Sequence, residues 1–288
     1  MTVPFGAEAL AEAYEHCAAL ARESARDQWL GALYAPDDSR NALFALAAFD
    51  HQVRQTRLRA RDPQLAAIRL AWWREAALGG RDAEAAGSPV AMAMRAAVDA
   101  FALPAELIEA MADAQMIELA PEDPFTLAAF QRYAADSEGA RLRLASRIAA
   151  GGQDLDRTHA HEPAGVALAV VRLLVEMSSP QRAGSRLFPT DLAERNGAAL
   201  ADIDARRATP GVVAALGELR ALARERLIEA ERRLRGSDPA IRPAFVPLAT
   251  LPLDLDRFER NAADPFDPPG EASALRRQWA IWRWALRF

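Results

Sequence analysis

The segment DPQLAAIRLAWWREAALGG, residues 62–80, carries the clearest local structural signals in the chain. Asp62 can accept a hydrogen bond from an amide of the first turn, and Pro63 suits the first helical position, so a helix is predicted to begin here. The pair Gly79-Gly80 predicts its end. Between these limits apolar residues recur at spacings of three and four, which is typical of a helix with one buried face.

Two adjacent tryptophans, Trp72 and Trp73, point about 100 degrees apart on such a helix. One is therefore expected in the core and the other at a cavity or a rim. Arg69 and Arg74 flank them with donors that suit phosphate oxygens, although arginines lying along a bundle surface would give the same pattern. The sequence leaves both interpretations of the arginines open.

Outward from this segment, helical spacing continues along nearly the whole chain, and β-branched residues and strict alternation are sparse. An all-α fold is predicted, with roughly ten helices joined by short connections. No linker divides the chain and no solenoid repeat is visible, so residues 1–288 are expected to form one domain. Breaks rich in Gly, Pro and Asp fall at residues 34–38, 61–63, 79–89, 120–124, 151–163, 178–189, 236–243 and 264–270.

Composition excludes several classes of function. The chain has 288 residues, 51% of them hydrophobic, which allows a substantial core. Its net charge of -5 argues against general binding of nucleic acid, because affinity for phosphate requires excess basic charge. All 35 basic residues are arginine, so lysine Schiff-base chemistry and a Walker-type phosphate loop are both excluded.

The single cysteine, Cys17, cannot form an internal disulfide, and the N-terminal residues lack a secretory pattern, so a cytoplasmic setting is expected. No apolar run approaches the roughly 20 residues that a membrane span requires. At the other end, residues 274–288 mix three tryptophans and Phe288 with four arginines, a composition that suits a membrane surface. These aromatic residues do not form one clean stripe, so residues 271–288 are expected either to dock on the bundle or to lie on a membrane.

A second unusual stretch is AAFDHQVRQT, residues 47–56, where a long apolar run turns polar within two helical turns. It is either a catalytic face directed into a cavity or an ordinary solvated face. Carboxylates spaced i and i+4 on a helix can hold Mg²⁺, but in an acidic helical protein such pairs are usually solvated. The pairs here are Glu8 and Glu12, Glu109 and Asp113, Glu118 and Glu122, and Glu225 and Glu229.

The loop that contains His159 and His161 is a further place for a metal, with Asp154, Asp156 and Glu162 nearby. Without a Cys or another His at suitable spacing, a flexible solvated loop is the favoured interpretation. Ser, His and Asp occur in the chain, but neither a nucleophile elbow nor a Gly-rich turn accompanies them. The sequence therefore gives no indication of a hydrolase.

The order of these segments, from about residue 34 to about residue 192, resembles the squalene/phytoene synthase family of the isoprenoid synthase superfamily. The wording YAPDDSRNALFALAAFD, residues 34–50, is similar to the family's early helix. Residues 62–80 are similar to a motif of its bacterial members. The resemblance implies a helical bundle around a central cavity.

Two later segments extend this resemblance. Residues 111–145, MADAQMIELAPEDPFTLAAFQRYAADSEGARLRLA, correspond to the family's later helices. Tyr133 and Gly139 fall where the family has a tyrosine and a small-residue kink. Residues 185–192, SRLFPTDL, are similar to the segment that follows the family's second acidic motif.

Enzymes of this family carry two helical motifs of paired aspartates, spaced i and i+4, which bind the Mg²⁺ that neutralises a departing diphosphate. In this sequence the first pair falls on His51 and Gln55. A shift of one residue gives Asp50, but with Arg54 as its partner, which would repel a metal.

The second pair, counted back from Phe188-Pro189, falls on Glu176 and Pro180. Each motif therefore keeps at most one acid, and head-to-head prenyl transfer is expected to be lost or very weak. The superfamily offers a precedent, because a mitochondrial complex I assembly factor resembles these synthases and is thought to be non-catalytic, and this chain resembles a bacterial relative of that type. The resemblance thus implies assembly, lipid handling or partner binding at the inner membrane.

The alternative is an active Mg²⁺-dependent prenyltransferase that condenses two prenyl diphosphates into a squalene- or phytoene-type product. Asp50 or Glu176, together with another acidic pair, would then hold the metal. Under either hypothesis the same residues are expected at the cavity or diphosphate site. They are Asp50, His51, Gln55, Arg69, Trp72, Trp73, Arg74, Tyr133, Glu176 and Arg186.

Overall fold

A computed structural model describes residues 5–59, 62–119, 124–179 and 186–287, with residues 57–59 described for the backbone alone. Every regular element in these ranges is helical, which confirms the predicted all-α fold. The α-helices are α1 (Ala7–Ser24), α2 (Arg26–Ala32), α3 (Asp37–Arg59), α4 (Pro63–Ala77), α5 (Asp82–Ala85), α6 (Pro89–Ala100), α7 (Ala105–Leu119), α8 (Leu127–Ala134), α9 (Ala140–Ala149), α10 (His161–Ser178), α11 (Thr190–Arg195), α12 (Leu200–Asp204), α13 (Pro210–Arg235), α14 (Leu251–Arg260) and α15 (Ala274–Ala285). A π-helical turn, Ala135–Gly139, joins α8 to α9, and a 3-10 helix, Pro239–Thr250, leads into α14.

Helix α4 begins and ends where the sequence predicts. The Asp62 side chain accepts a hydrogen bond of 2.8 Å from the amide of Gln64, and Pro63 takes the first helical position. After the helix, Gly79 has a φ of +89°, and a Cβ at this position would lie 2.8 Å from the Nε of Arg95. A larger residue would have to displace that guanidinium and adopt a strained backbone, so glycine fixes the end of α4.

One predicted break is shorter than expected, since α13 ends at Arg235 but a new helix begins at Pro239. The sequence suggests an interruption at residues 236–243, but the 12-residue 3-10 helix Pro239–Thr250 begins inside it. Pro243 and Pro247 have no amide hydrogen and exclude an α-helix, whereas their fixed φ is compatible with 3-10 turns. Phe245 within the segment is fully buried, so the proline-rich stretch is part of the core.

Helix α3 is central to the bundle. Its residues 42–49 are all buried, as expected for a helix that is apolar on every side. It packs against α1, α2, α4, α6, α7 and α9, while α10 packs against α13 and the π-helical turn. Among the helices of the described ranges, none combines the length and the apolar character needed to cross a bilayer.

A glycine contact sets the distance between α10 and the π-helical turn. A Cβ on Gly165 of α10 would lie 2.8 Å from the backbone nitrogen of Gly139, closer than real Cβ atoms come. A larger residue at position 165 would therefore push α10 away from the turn. The close approach allows Arg172 of α10 to reach Glu138, the residue before Gly139.

The C-terminal helix α15 docks on the bundle. Ile281 and Trp284 are buried, and the helix packs against the 3-10 helix Pro239–Thr250. Arg277 forms ion pairs with Asp27 and with Asp254, the latter at 2.9 Å. Phe288, the aromatic residue at the end of the predicted segment, lies outside the described residues.

Candidate functional site

The polar stretch on α3 turns an acid and a base towards the interior. Asp50 is 6% exposed, and both of its carboxylate oxygens lie within 3.0 Å of the Nε of Arg54, one helical turn later. His51 and Gln55, the alternative pair from the sequence, are half-buried beside them. The buried pair with i and i+4 spacing on α3 therefore consists of one carboxylate and one guanidinium.

Glu138 links this pair to two other helices. Its Oε1 accepts hydrogen bonds from Arg54 at 3.0 Å and from Arg172 of α10 at 2.9 Å. Its Oε2 accepts a hydrogen bond of 2.9 Å from the Nε of Arg141 of α9. The Glu138 side chain is 8% exposed, so three guanidiniums converge on one carboxylate that is largely buried.

Tyr133 lies on the other side of Arg172. Its hydroxyl donates a hydrogen bond to Glu118 of α7 and accepts one from Arg172, whose guanidinium also sits 5.6 Å from the centroid of its ring. Burial raises the pKa of Tyr133 well above its ordinary value, and the charge of Glu118 raises it further. Tyr133 therefore stays protonated and acts as a hydrogen-bond donor.

Glu118 is the acid that the sequence analysis undervalued. Pro121 is predicted to interrupt the helix between Glu118 and its expected partner Glu122, which lies outside the described residues, so the pair is an unpromising metal site. Glu118 itself, however, is only 6% exposed. The burial of Glu118 could have been predicted from the spacing of residues along α7. Ile108, Met111, Gln115 and Glu118 recur every three or four residues, which predicts one inward-facing stripe that ends in a carboxylate.

Glu176 lies one turn beyond Arg172 on α10 and is half-buried. It is close enough to Tyr133 for its charge to contribute to the raised pKa of that hydroxyl. Pro180, the other expected position of the second motif, lies outside the described residues, and α10 ends before it at Ser178. At the expected position of the second motif Glu176 is therefore the one acid, and Arg172 precedes it by one helical turn.

Together these residues form one charge cluster, which contains four carboxylates, three guanidiniums and a tyrosine. With every acid and base ionised, four negative and three positive charges leave a formal charge of about -1, so the cluster is nearly neutral. Its members are Asp50, Arg54, Glu118, Tyr133, Glu138, Arg141, Arg172 and Glu176.

A cleft gives access to one side of the charge cluster. It has a volume of about 470 Å³, and its lining includes Glu138, Arg141 and Arg172. The Asp254–Arg277 ion pair, which fastens α15, lies along the same cleft. A ligand that enters here meets two guanidiniums that are already bound to a carboxylate.

The two tryptophans of α4 are both half-buried and pack edge-on against each other, with ring centroids 4.9 Å apart. Trp73 packs edge-on against Phe49, with ring centroids 5.9 Å apart, and its Nε1 donates a hydrogen bond of 3.1 Å to Thr56. Trp72 lies at the rim and donates a hydrogen bond of 2.8 Å to Glu84. Trp73 therefore connects α4 to the polar end of α3.

The three arginines proposed as phosphate ligands do not meet at the charge cluster. Arg69 is exposed, and Arg74 forms an ion pair of 3.3 Å with the exposed Asp113. Arg186 donates a hydrogen bond of 2.8 Å to the backbone carbonyl of Leu119. The arginines at the cluster are different ones, and sequence reasoning passed over two of them, Arg141 and Arg172.

The remaining carboxylate pairs lie at the surface. Glu109 and Asp113 are both exposed, as are Glu8 and Glu12. Glu225 is exposed too, while Glu229 accepts hydrogen bonds from two neighbouring arginines of α13. None of these residues reaches the charge cluster through a hydrogen bond or ion pair in the part of the chain that the structure describes.

The histidine loop is more ordered than the sequence suggests. Asp156 is buried and contacts the Nδ1 of His161 at 2.6 Å, while two backbone amides also donate to its carboxylate. Ligand atoms of His159, His161 and Glu162 lie within 4.8 Å of one another. Arg233 donates a hydrogen bond of 3.0 Å to Glu162, and this positive charge opposes a metal there.

A sequence model described as squalene/phytoene synthase matches residues 21–283 of the chain. The chain belongs to the squalene/phytoene synthase family. This membership confirms the resemblance drawn from residues 34–192. Among curated proteins, no sequence matches the chain.

Solved structures share the fold of this family member over nearly its whole length. YisP from Bacillus subtilis subsp. subtilis strain 168 is 18% identical, with a TM-score of 0.70 and coverage of 96% of this chain and 97% of that one. Squalene synthase HpnC from Alicyclobacillus acidocaldarius is 21% identical, with a TM-score of 0.71 and coverage of 89% and 97%. A dehydrosqualene synthase in complex with ligand is 15% identical, with a TM-score of 0.75 and coverage of 96% of both chains. These likenesses confirm the isoprenoid-synthase-like fold.

Proposed function

We propose that this family member does not condense prenyl diphosphates and instead binds an isoprenoid lipid or a protein partner. One observation carries the proposal: the buried carboxylate of Asp50 is bound by Arg54, which is joined through Glu138 to Arg172 of α10. We also propose that the protein acts in the cytoplasm against the inner membrane, as one domain spanning residues 1–288.

The arginines take the electrostatic role that a metal would have. A divalent cation is held by carboxylate oxygens, and both oxygens of Asp50 already share the Nε–H of Arg54, which would compete with a metal for them. A guanidinium at this distance also repels Mg²⁺. The residues of the charge cluster therefore do not fit the metal site of a prenyltransferase, and no catalytic step is assigned to Mg²⁺ here.

The alternative, an active Mg²⁺-dependent prenyltransferase, requires a second acidic pair near Glu176. Glu109 and Asp113 are the pair with the required spacing on α7, but both are exposed and Asp113 is bound to Arg74. Glu118 comes closer, since it contacts Tyr133, but that hydrogen bond also competes for its carboxylate. The arrangement of acids therefore favours binding over condensation.

Binding of a lipid is compatible with what the fold retains. Solved structures of similar fold match up to 96% of the chain, and a cleft of about 470 Å³ reaches Arg141 and Arg172. The dehydrosqualene synthase of similar fold is described in complex with ligand. An anionic isoprenoid could exchange with Glu138 at these guanidiniums without any metal.

The test is diphosphate release by the purified protein from farnesyl and geranylgeranyl diphosphate with Mg²⁺, beside Asp50→Asn and Glu176→Gln variants. We expect no release above background from any of the three proteins, together with a lipid-dependent rise in the melting temperature of the wild type. Turnover by the wild type that disappears in either variant would overturn the proposal and establish a working synthase.

A further inference from the structure

Helix α15 exposes an apolar face although its other face is docked. Leu275 is 78% exposed, Trp279 59%, Trp282 48% and Leu286 67%. The rings of Trp279 and Trp282 lie together, with centroids 4.9 Å apart. Two adjoining tryptophans exposed to this extent are unusual on a water-facing helix, because each large aromatic ring gains free energy when it is buried.

Three arginines accompany this face. Arg276, Arg283 and Arg287 are all exposed, and no carboxylate in the described ranges forms an ion pair with them. Arg277, on the inward side of the same helix, is by contrast held by Asp27 and Asp254. The outward guanidiniums form a local positive surface on a chain whose net charge is -5.

A groove of about 640 Å³ runs between α15 and the start of α14. Ala249, Pro252 and Leu253 contribute apolar walls, and the three outward arginines lie on its rim. Among the described residues, Glu231 is the one carboxylate that lines it. Apolar walls beneath a rim of guanidiniums match the chemistry of a phospholipid, whose acyl chain is apolar and whose phosphate is anionic.

We propose that the outward face of α15 and this groove bind the surface of a membrane that contains anionic phospholipid. Trp279 and Trp282 would lie at the level of the headgroups, where the amphipathic indole ring is most stable. The arginines would contact lipid phosphates while their aliphatic stems follow the apolar boundary. This inference rests on the proposed position of the protein against the inner membrane and names the surface that makes the contact. The groove is separate from the cleft at the charge cluster, so vesicle binding and diphosphate release test different sites.

The observations favour a membrane over an acidic protein partner. Leu275, Trp279 and Leu286 lie at intervals along about 11 residues, roughly 17 Å of helix. A lipid surface accepts such an extended, shallow contact without requiring a matching partner shape. The groove and the arginine rim provide the charge complementarity for phosphate.

The experiment measures sedimentation of the full-length protein with vesicles of phosphatidylcholine, with and without phosphatidylglycerol. We expect binding to the anionic vesicles, weakened by added salt, and a blue shift of tryptophan fluorescence. An arginine near an anionic surface contributes roughly fivefold to partitioning, so the triple variant R276Q/R283Q/R287Q should bind on the order of 100-fold more weakly. The W279A/W282A variant should lose the fluorescence shift.

A matched control removes the same charge elsewhere. Arg157, Arg235 and Arg260 are exposed and lie outside α15, so R157Q/R235Q/R260Q should bind vesicles as the wild type does. The inference is overturned if the wild type fails to bind anionic vesicles, or if both triple variants weaken binding equally. It is also overturned if the α15 variant binds unchanged, which would leave the exposed face to a protein partner.

Discussion

The sharpest stability prediction concerns Glu138, the carboxylate at the centre of the charge cluster. Glu138→Gln keeps the shape of the side chain but removes the charge that Arg54, Arg141 and Arg172 share. The substituted amide also directs its own donors towards guanidiniums that cannot accept a hydrogen bond. The variant therefore leaves buried positive charge without its main partner.

The magnitude follows from the burial of this site. The Glu138 side chain is 8% exposed and its three hydrogen bonds measure 2.9 to 3.0 Å, so solvent screens them little. Removal of one partner from a buried ion pair costs about 3–5 kcal/mol of unfolding free energy. With about 2–4 °C for each kcal/mol in a chain of this size, the melting temperature should fall by roughly 6–20 °C.

Thermal unfolding followed by circular dichroism measures this change, with Glu229→Gln as the matched control. Glu229 also accepts hydrogen bonds from two arginines, Arg232 and Arg233, but it does so at the surface. Its substitution should leave the melting temperature close to that of the wild type. If Glu138→Gln melts at the same temperature as the control, the charge cluster is not the stabilising unit described above.

Three further predictions concern groups outside the charge cluster. Burial raises the pKa of the Cys17 thiol to about 12, so a thiol-specific reagent should label native protein far more slowly than unfolded protein; equal rates would contradict this. Burial raises the pKa of Asp156, but the hydrogen bond and charge of His161 and two backbone amides outweigh it, and the pKa lies below its ordinary value. The stabilisation by this carboxylate is complete above about pH 4 and is lost as the pH falls through the lower folded pKa. The difference in urea-unfolding free energy between wild type and Asp156→Asn should therefore shrink on acidification. A difference that stays constant with pH would refute the coupling. Arg277→Ala removes both ion pairs of α15 and should speed amide hydrogen exchange in that helix but not in α10.

Local signals explain the parts of the fold that the sequence predicts. The limits of α4 follow from Asp62, Pro63 and Gly79, whose effects act within one turn of the backbone. The different partners of Trp72 and Trp73, Glu84 and Phe49, follow from the angle between adjacent side chains on a helix. The 3-10 helix Pro239–Thr250 escaped prediction because prolines are ordinary markers of breaks, and only tertiary burial shows that this stretch is regular.

The candidate site depends on contacts that no local pattern contains. Glu138 is separated from Arg54 by 84 positions and from Arg172 by 34, and neither spacing has a periodicity that predicts pairing. The sequence did identify Asp50 and its conflict with Arg54, because those residues are one turn apart. The part played by Arg172 cannot be predicted locally, because it depends on the close approach of α10 to the π-helical turn that Gly165 allows.

We propose that guanidiniums occupy the positions where a metal would be needed, and Mg²⁺-dependent thermal unfolding decides whether they do. The wild type and Arg54→Asp are melted with increasing Mg²⁺, alone and with farnesyl diphosphate. We predict a wild-type midpoint that Mg²⁺ does not change. The variant should have a lower midpoint that Mg²⁺ restores, because the introduced carboxylate lies one turn from Asp50. A midpoint that rises with Mg²⁺ and farnesyl diphosphate in the wild type, but not in Asp50→Asn, would instead show that Asp50 helps to hold a metal beside the diphosphate.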